Sequence, residues 1–100
     1  MPKINITVAH TLTQAEAAER IRKRLEEVKT QFVDKIEDMH EEWNGNSCKF
    51  SLSVMGLTAS GTMNVKEAEV EIVGQLPFEA FLFKNKIESV IKDKLKQMLA

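Results

Sequence analysis

Between residues 39 and 76, apolar and polar side chains alternate through successive stretches that are separated by turn-forming residues. Alternation with a period of two places one set of side chains on each face of a β-strand. The stretches cover residues 39–43, 48–54, 57–65 and 68–76. Because short connections of this kind join antiparallel neighbours, the pattern predicts a meander of antiparallel strands with one apolar face.

The connections within this meander carry their own signals. Asn44-Gly45 is the strongest of them, because this pair favours positive φ at both central positions of a tight hairpin. Met55-Gly56 predicts the next reversal of the chain. Gly61, inside the strand that follows, indicates either a β-bulge or a place where a helix packs closely.

One more strand and two amphipathic helices complete the predicted fold. Residues 3–9 alternate and form another half-buried strand. Thr13 is predicted to cap a helix over roughly residues 13–37, with Glu16 completing a capping box and apolar residues recurring at spacings of three or four. The segment after Pro77 repeats the helical spacing up to the end of the chain.

The element order is therefore β-α-β-β-β-β-α, an α+β fold in a single domain of residues 1–100. Each strand has one apolar face, and two helices on that face satisfy its need for burial. The opposite, polar face is expected to be hydrated or to form a polar dimer contact. The first strand joins the meander at an edge, beside either residues 39–43 or residues 68–76. The arrangement is similar to a shortened helix-grip domain, in which a curved antiparallel sheet wraps a C-terminal helix.

Composition argues against several classes of function. The formal net charge is −1 with basic and acidic residues mixed along the chain, whereas nucleic-acid binders usually carry a basic face. No stretch approaches the ~18 consecutive apolar residues that span a bilayer. The N-terminus lacks the basic and apolar segments of a signal peptide. The single cysteine, Cys48, excludes an intramolecular disulfide, and we expect a cytoplasmic protein.

The residues that could carry chemistry form no recognised site. His10, His40 and Cys48 match no metal-ligand spacing, and no glycine-rich phosphate motif occurs, so neither a metal nor a cofactor is predicted. Cys48 is interpreted as a buried, inert thiol. Glu41 lies on the apolar side of its strand, so it sits at the sheet rim, or the alternation breaks there, or it is an acid with a raised pKa. We predict that the protein is not an enzyme.

Five residues are candidates for contact with a ligand or partner: His10, Trp43, Phe78, Phe81 and Leu82. His10 is interpreted as a side chain that forms hydrogen bonds at a strand–helix corner. Trp43 is either a core residue or an exposed anchor beside the turn. The other three belong to the Phe-rich bend, residues 78–83. We predict that Phe83 begins the apolar stripe of the last helix, and that one or two of those three candidates are partly exposed.

Three stretches of the chain resemble a known family. "INITVAHTLTQAEAAERI" contains the pattern I-x-V-x-H-x-L-x-x-x-E-A, in which His10 and Leu12 are the most specific residues. "MGLTASGTMNV" is similar to the family's short G-x-x-x-x-G strand pair. "LPFEAFLFKNKIESVIKDKLKQML" resembles the family's ending, a hydrophobic bend followed by F-K-x-x-I-E and a helix. Together these stretches resemble the polyhydroxyalkanoic acid system proteins, also called granule-region proteins.

The resemblance implies a place in polyhydroxyalkanoate storage and supplies no catalytic residues. On this basis we expect a non-catalytic accessory protein that contacts an apolar surface, an apolar polymer or lipid-like ligand, or a partner. The implied location is the cytoplasm, in association with storage granules. The alternative is a structural module that binds a partner or a second copy of itself, as a homodimer, and holds no ligand.

Overall fold

The computed structural model describes residues 2–100, which form one antiparallel sheet and two α-helices. In chain order the elements are β1 (Lys3–Ala9), α1 (Gln14–Gln31), β2 (Asp38–Asn44), β3 (Ser47–Val54), β4 (Leu57–Val65), β5 (Glu69–Gln75), a 3₁₀ helix formed by the Phe-rich bend (Phe78–Phe83), and α2 (Lys84–Leu99). This order and the antiparallel pairing confirm the predicted α+β fold.

The sheet has the strand order β1-β5-β4-β3-β2, so β1 and β2 form its edges. The strands β2 to β5 are joined as consecutive hairpins. β1 pairs with β5, which decides between the two edges that the sequence left open. This edge suits β1 because its inward residues meet apolar partners there; Ile6, for example, lies opposite Ile72, and both are buried.

The core lies between the inner face of the sheet and one end of each helix. The buried residues of α1 lie in its first half, and those of α2 lie near its C-terminus. These two ends are neighbours, since the Arg20 guanidinium donates a hydrogen bond to the main-chain oxygen of Ala100. The buried apolar residues are Ile4, Ile6, Val8, Ala17, Ala18, Ile21, Cys48, Met63, Val65, Val70, Ile72, Leu76, Ala80, Leu95 and Leu99.

α1 begins at the predicted cap. The Thr13 hydroxyl oxygen accepts a hydrogen bond from the Glu16 N–H at 3.1 Å. The Thr13 hydroxyl also lies 3.1 Å from the Glu16 carboxylate, to which it donates. The cap therefore satisfies one of the main-chain N–H groups that a helix start leaves without a partner inside the helix.

The predicted end of this helix at residue 37 is wrong, because α1 ends at Gln31. The Phe32 N–H still bonds to the Val28 carbonyl, and the chain then turns away. Phe32 and Ile36 continue the helical spacing but are half-buried outside the helix. Apolar residues therefore continue to recur at spacings of three or four after the backbone has ceased to be helical.

The turn between β2 and β3 differs from its prediction by one position. Asn44 pairs with Ser47, so the central residues are Gly45 and Asn46. Gly45 has a φ of 62°, but Asn44 and Asn46 are not among the residues with positive φ. The turn thus needs a left-handed residue only at its first central position, where glycine carries no steric penalty.

Gly61 marks neither a bulge nor a helix contact. β4 pairs continuously through it, with Phe50 on one side and Gly74 on the other. A Cβ at this position would lie 2.6 Å from the Val73 carbonyl oxygen and 3.0 Å from the Phe50 ring. Glycine is therefore required by the close approach of the neighbouring strand and of one aromatic ring.

We expect Gly61→Ala to lower the free energy of unfolding by about 1–3 kcal/mol, because the added methyl group forces β5 or Phe50 to move. Urea denaturation followed by circular dichroism measures this difference. Ser60→Ala is the matched control, since Ser60 is exposed and a surface change of this kind has little effect. Equal stability of Gly61→Ala and wild type would contradict the close approach.

Candidate functional site

On the inner face of the β3–β4 hairpin, the side chains become less buried toward the turn. The pair nearest the core is buried, and the pairs closer to the turn are half-buried or exposed. The fully buried residues of both helices lie toward the other end of the sheet, so these later pairs are only partly covered. From the core to the turn the inward pairs are Cys48–Met63, Phe50–Gly61, Leu52–Ala59 and Val54–Leu57.

This partly covered strip is the floor of an apolar groove of about 470 Å³. The first half of α2 forms one wall through Ile87 and Ile91, and the Phe-rich bend contributes Ala80. Among the described residues that line it, Ser60 alone has a polar side chain and none is ionisable. The groove is lined by Ile4, Phe50, Leu52, Val54, Met55, Leu57, Ala59, Ser60, Leu76, Pro77, Ala80, Ile87 and Ile91.

The Phe-rich bend lies beside this groove and presents its large side chains to solvent. The exposed fractions are 76% for Phe78, 56% for Phe81, 86% for Leu82 and 62% for Phe83. Two expectations from the sequence are therefore corrected. Phe83 does not begin the core stripe of α2, and all three of the other residues are exposed rather than one or two.

The 3₁₀ geometry of the bend explains this exposure. A 3₁₀ helix has three residues per turn, so the spacing that suits an α-helix does not collect these side chains on one inward face. Ala80 is the buried residue of the bend, and its N–H bonds to the Pro77 carbonyl. Since α2 starts at Lys84, the apolar stripe that faces the sheet begins at Ile87.

Met55 stands at the groove in a conformation that is unfavourable for its residue type. It occupies the β3–β4 turn with a φ of 54° and is 88% exposed. The left-handed region costs a bulky residue roughly 1–2 kcal/mol, and an exposed side chain gains no burial in return. A residue in a conformation that is unfavourable for its type is expected at a functional site. Met55 is therefore added to the candidate residues for contact with a ligand or partner.

We expect Met55→Asn to raise the free energy of unfolding by about 1 kcal/mol, because asparagine tolerates the left-handed region. Met55→Ala is the control, since alanine keeps the steric penalty and should bring no such gain. Urea denaturation of the three proteins measures the difference. If both variants shift stability equally, the left-handed backbone is not the cause.

His10 lies at the opposite end of the sheet from the bend. Its Nδ1 accepts a hydrogen bond from the Leu12 N–H at 3.1 Å, and its Nε2 lies 3.0 Å from the Lys66 carbonyl oxygen. With Nδ1 acting as acceptor, Nε2 carries the proton and donates it to Lys66. Both ring nitrogens therefore bond to the main chain at the corner between β1 and α1.

Trp43 lies at the same end as His10, on the inner face of β2 opposite Cys48. It is half-buried against the core, and the Arg22 guanidinium carbon lies 4.7 Å from the centre of its ring. This distance gives a cation–π interaction between α1 and β2. The structure thus brings Phe78, Phe81 and Leu82 together and places Trp43 and His10 apart from them.

Glu41 faces inward on β2, and its charge is balanced from α1. The strand pairs continuously there, and the Lys29 Nζ lies 3.1 Å from a Glu41 oxygen. The pKa of Lys29 is raised, chiefly by its hydrogen bond to Glu26 and further by Glu41, against the opposing effect of burial. Burial, and then the charge of Glu41, raises the pKa of the Cys48 thiol, which is typical of an inert cysteine.

We expect Lys29→Ala to lower the free energy of unfolding by about 1–2 kcal/mol at neutral pH, because a poorly exposed carboxylate loses its partner. Since folding raises the pKa of Lys29, its contribution is complete below its ordinary pKa of 10.5 and is lost as the pH rises through the folded value. Urea denaturation at neutral pH and above pH 10.5 tests both points.

Lys23→Ala is the control for this pair, because Lys23 is exposed on the same helix. A difference between Lys29→Ala and wild type that stays constant across this pH range would contradict the ion pair.

A second depression of the described surface, of about 420 Å³, lies on β2 and β3. It is lined mainly by polar side chains, namely His40, Glu41, Glu42, Lys49 and Ser51, together with Phe50. Between Pro2 and Ala100, no group of three His, Cys, Asp or Glu side chains could hold a metal ion. No helix in that part of the chain is long and apolar enough to cross a membrane.

The family model described as "Putative polyhydroxyalkanoic acid system protein" matches residues 4–99. The chain belongs to this family. The match includes both the groove and the Phe-rich bend, and it confirms the resemblance that the three sequence stretches indicated. No curated protein sequence matches the chain.

Sequence reasoning did not find the groove in this family member. The alternation of apolar and polar residues in β3 and β4 correctly predicts that Leu52 and Ala59 face inward. It does not say whether a helix covers them. One local signal was available in the Met55-Gly56 turn. A methionine is unusual where a tight hairpin favours asparagine or glycine, and it marks the open end of the groove.

Proposed function

We propose that this chain is a non-catalytic accessory protein of polyhydroxyalkanoate storage whose Phe-rich bend contacts the apolar surface of the polymer. One observation carries the proposal: the bend exposes Phe78, Phe81, Leu82 and Phe83 within six residues. Membership in the polyhydroxyalkanoic acid system family supplies the storage context. The proposed location is the cytoplasm, at the surface of storage granules.

The physical basis is the removal of these side chains from water. Burying a Phe or Leu side chain completely is worth about 1.5–3 kcal/mol, so even partial burial of four gives useful affinity. Contiguous exposed apolar residues of this kind commonly mark contact sites. Lys84 and Lys86 lie just after the bend in the first turn of α2, and Lys86 is exposed.

The residues around the bend support the proposal that the protein is not a catalyst. General acid–base catalysis needs a titratable group positioned at the reacting atoms. In the described chain, the groove beside the bend is lined without any ionisable side chain. His10 lies at the other end of the sheet with both ring nitrogens bonded to the main chain, and Glu41 is paired with Lys29.

We expect the purified protein to sediment with amorphous polyhydroxybutyrate particles, and Phe78→Ser/Leu82→Ser to reduce the bound fraction by about fivefold or more, since apolar burial is lost. Both side chains are largely exposed, so the variant should keep its fold. Val73→Thr is the matched control, because Val73 is an exposed apolar residue on the polar face of the sheet.

Equal sedimentation of the double variant and wild type would rule out the bend as the contact. Analytical ultracentrifugation of the same proteins tests the self-associating alternative. A concentration-dependent dimer that the double variant abolishes, together with no polymer binding by wild type, would replace the proposed function with that alternative.

A further inference from the structure

The walls of the apolar groove carry no charge in the part of the chain that the structure describes. Its floor is formed by aliphatic side chains such as Leu52, and its helical wall by Ile87 and Ile91. A carboxylate or phosphate placed against these residues would lose hydration without gaining a counter-charge, which is strongly unfavourable. The lining therefore favours an occupant that is itself uncharged.

The groove is also joined to the Phe-rich bend. Pro77 and Ala80 line the groove, while Phe78, between them in the chain, is exposed. The groove and the bend thus adjoin one another at one end of the molecule. The groove volume of about 470 Å³ lies within the ordinary range for sites that hold small molecules.

One small residue and one strained residue line the groove. Ala59 lies on the floor opposite Leu52. Met55 remains exposed at the groove in a left-handed conformation. A larger side chain at Ala59 would fill the groove, and asparagine at position 55 would relax the turn, so this end of the protein is not arranged for stability alone.

From these observations we infer that the groove binds a single uncharged aliphatic ester chain, such as a segment of the neutral polyester lifted from the polymer surface. This inference rests on the proposed function, because family membership supplies the polyester and the bend brings the protein to it. The groove is then the place where one chain is held, and the bend is the place where the surface is touched.

A soluble probe tests the inference without any polymer present. The full chain, labelled with ¹⁵N, is titrated with methyl octanoate and separately with octanoate, and binding is followed by NMR. We expect the neutral ester to bind about tenfold tighter or more, with the largest shifts at Leu52, Ala59 and Ile91. Equal affinities, or shifts confined to other residues, would overturn the inference.

Two variants examine the groove directly. Ala59→Phe fills the floor, and Leu57→Glu places a charge at the rim; each should weaken methyl octanoate binding by about tenfold. Thr58→Glu is the control for the second variant, because Thr58 is exposed on the opposite face of the same strand. If Ala59→Phe does not fold, the comparison of Leu57→Glu with Thr58→Glu decides, and equal binding by these two would overturn the inference.

The polymer assay separates this inference from the proposed function. If wild type sediments with polymer but does not bind methyl octanoate, the groove inference fails and the contact by the bend stands. If wild type binds methyl octanoate but does not sediment with polymer, the proposed function fails and the inferred link between groove and polyester falls with it.

Discussion

The two helices bury their side chains against one end of a sheet whose apolar face is longer than the area they cover. α1 contributes buried residues from its first half and α2 from its C-terminal end, and these ends lie together. A closed core therefore forms over β1, β5 and the near parts of β3 and β4. The remaining apolar pairs of the β3–β4 hairpin form the floor of the groove, because the fully buried residues of both helices lie away from them.

This unequal coverage separates the stabilising contacts from the candidate contact surface. Away from the bend, His10 bonds to two main-chain groups, and Arg22 and Lys29 tie α1 to β2 through Trp43 and Glu41. At the open end, the chain leaves β5 through the Phe-rich bend and exposes large apolar side chains. Substitutions in the bend can thus change binding while leaving the core intact, which makes the proposed function testable.

Elements that depend on local patterns were predictable from the sequence, and features that depend on distant partners were not. The strands follow from alternation, and the start of α1 follows from Thr13 and Glu16, which are close in the chain. The end of α1 was not predictable, since Phe32 keeps the helical spacing but packs outside the helix. The partner of β1 depended on which edge offered apolar neighbours, and those contacts join residues that are 60 or more positions apart in the chain.

The amino-acid sequence by itself determined the order of the elements, the side of each strand that faces inward, and the resemblance to the polyhydroxyalkanoic acid system family. Only the tertiary structure decided that Phe78, Phe81, Leu82 and Phe83 are exposed, and that Leu52 and Ala59 border a groove. The physical reason is that periodicity specifies the direction of a side chain. Its burial depends on what packs on that side, and here the helices leave the turn end of the β3–β4 hairpin incompletely covered.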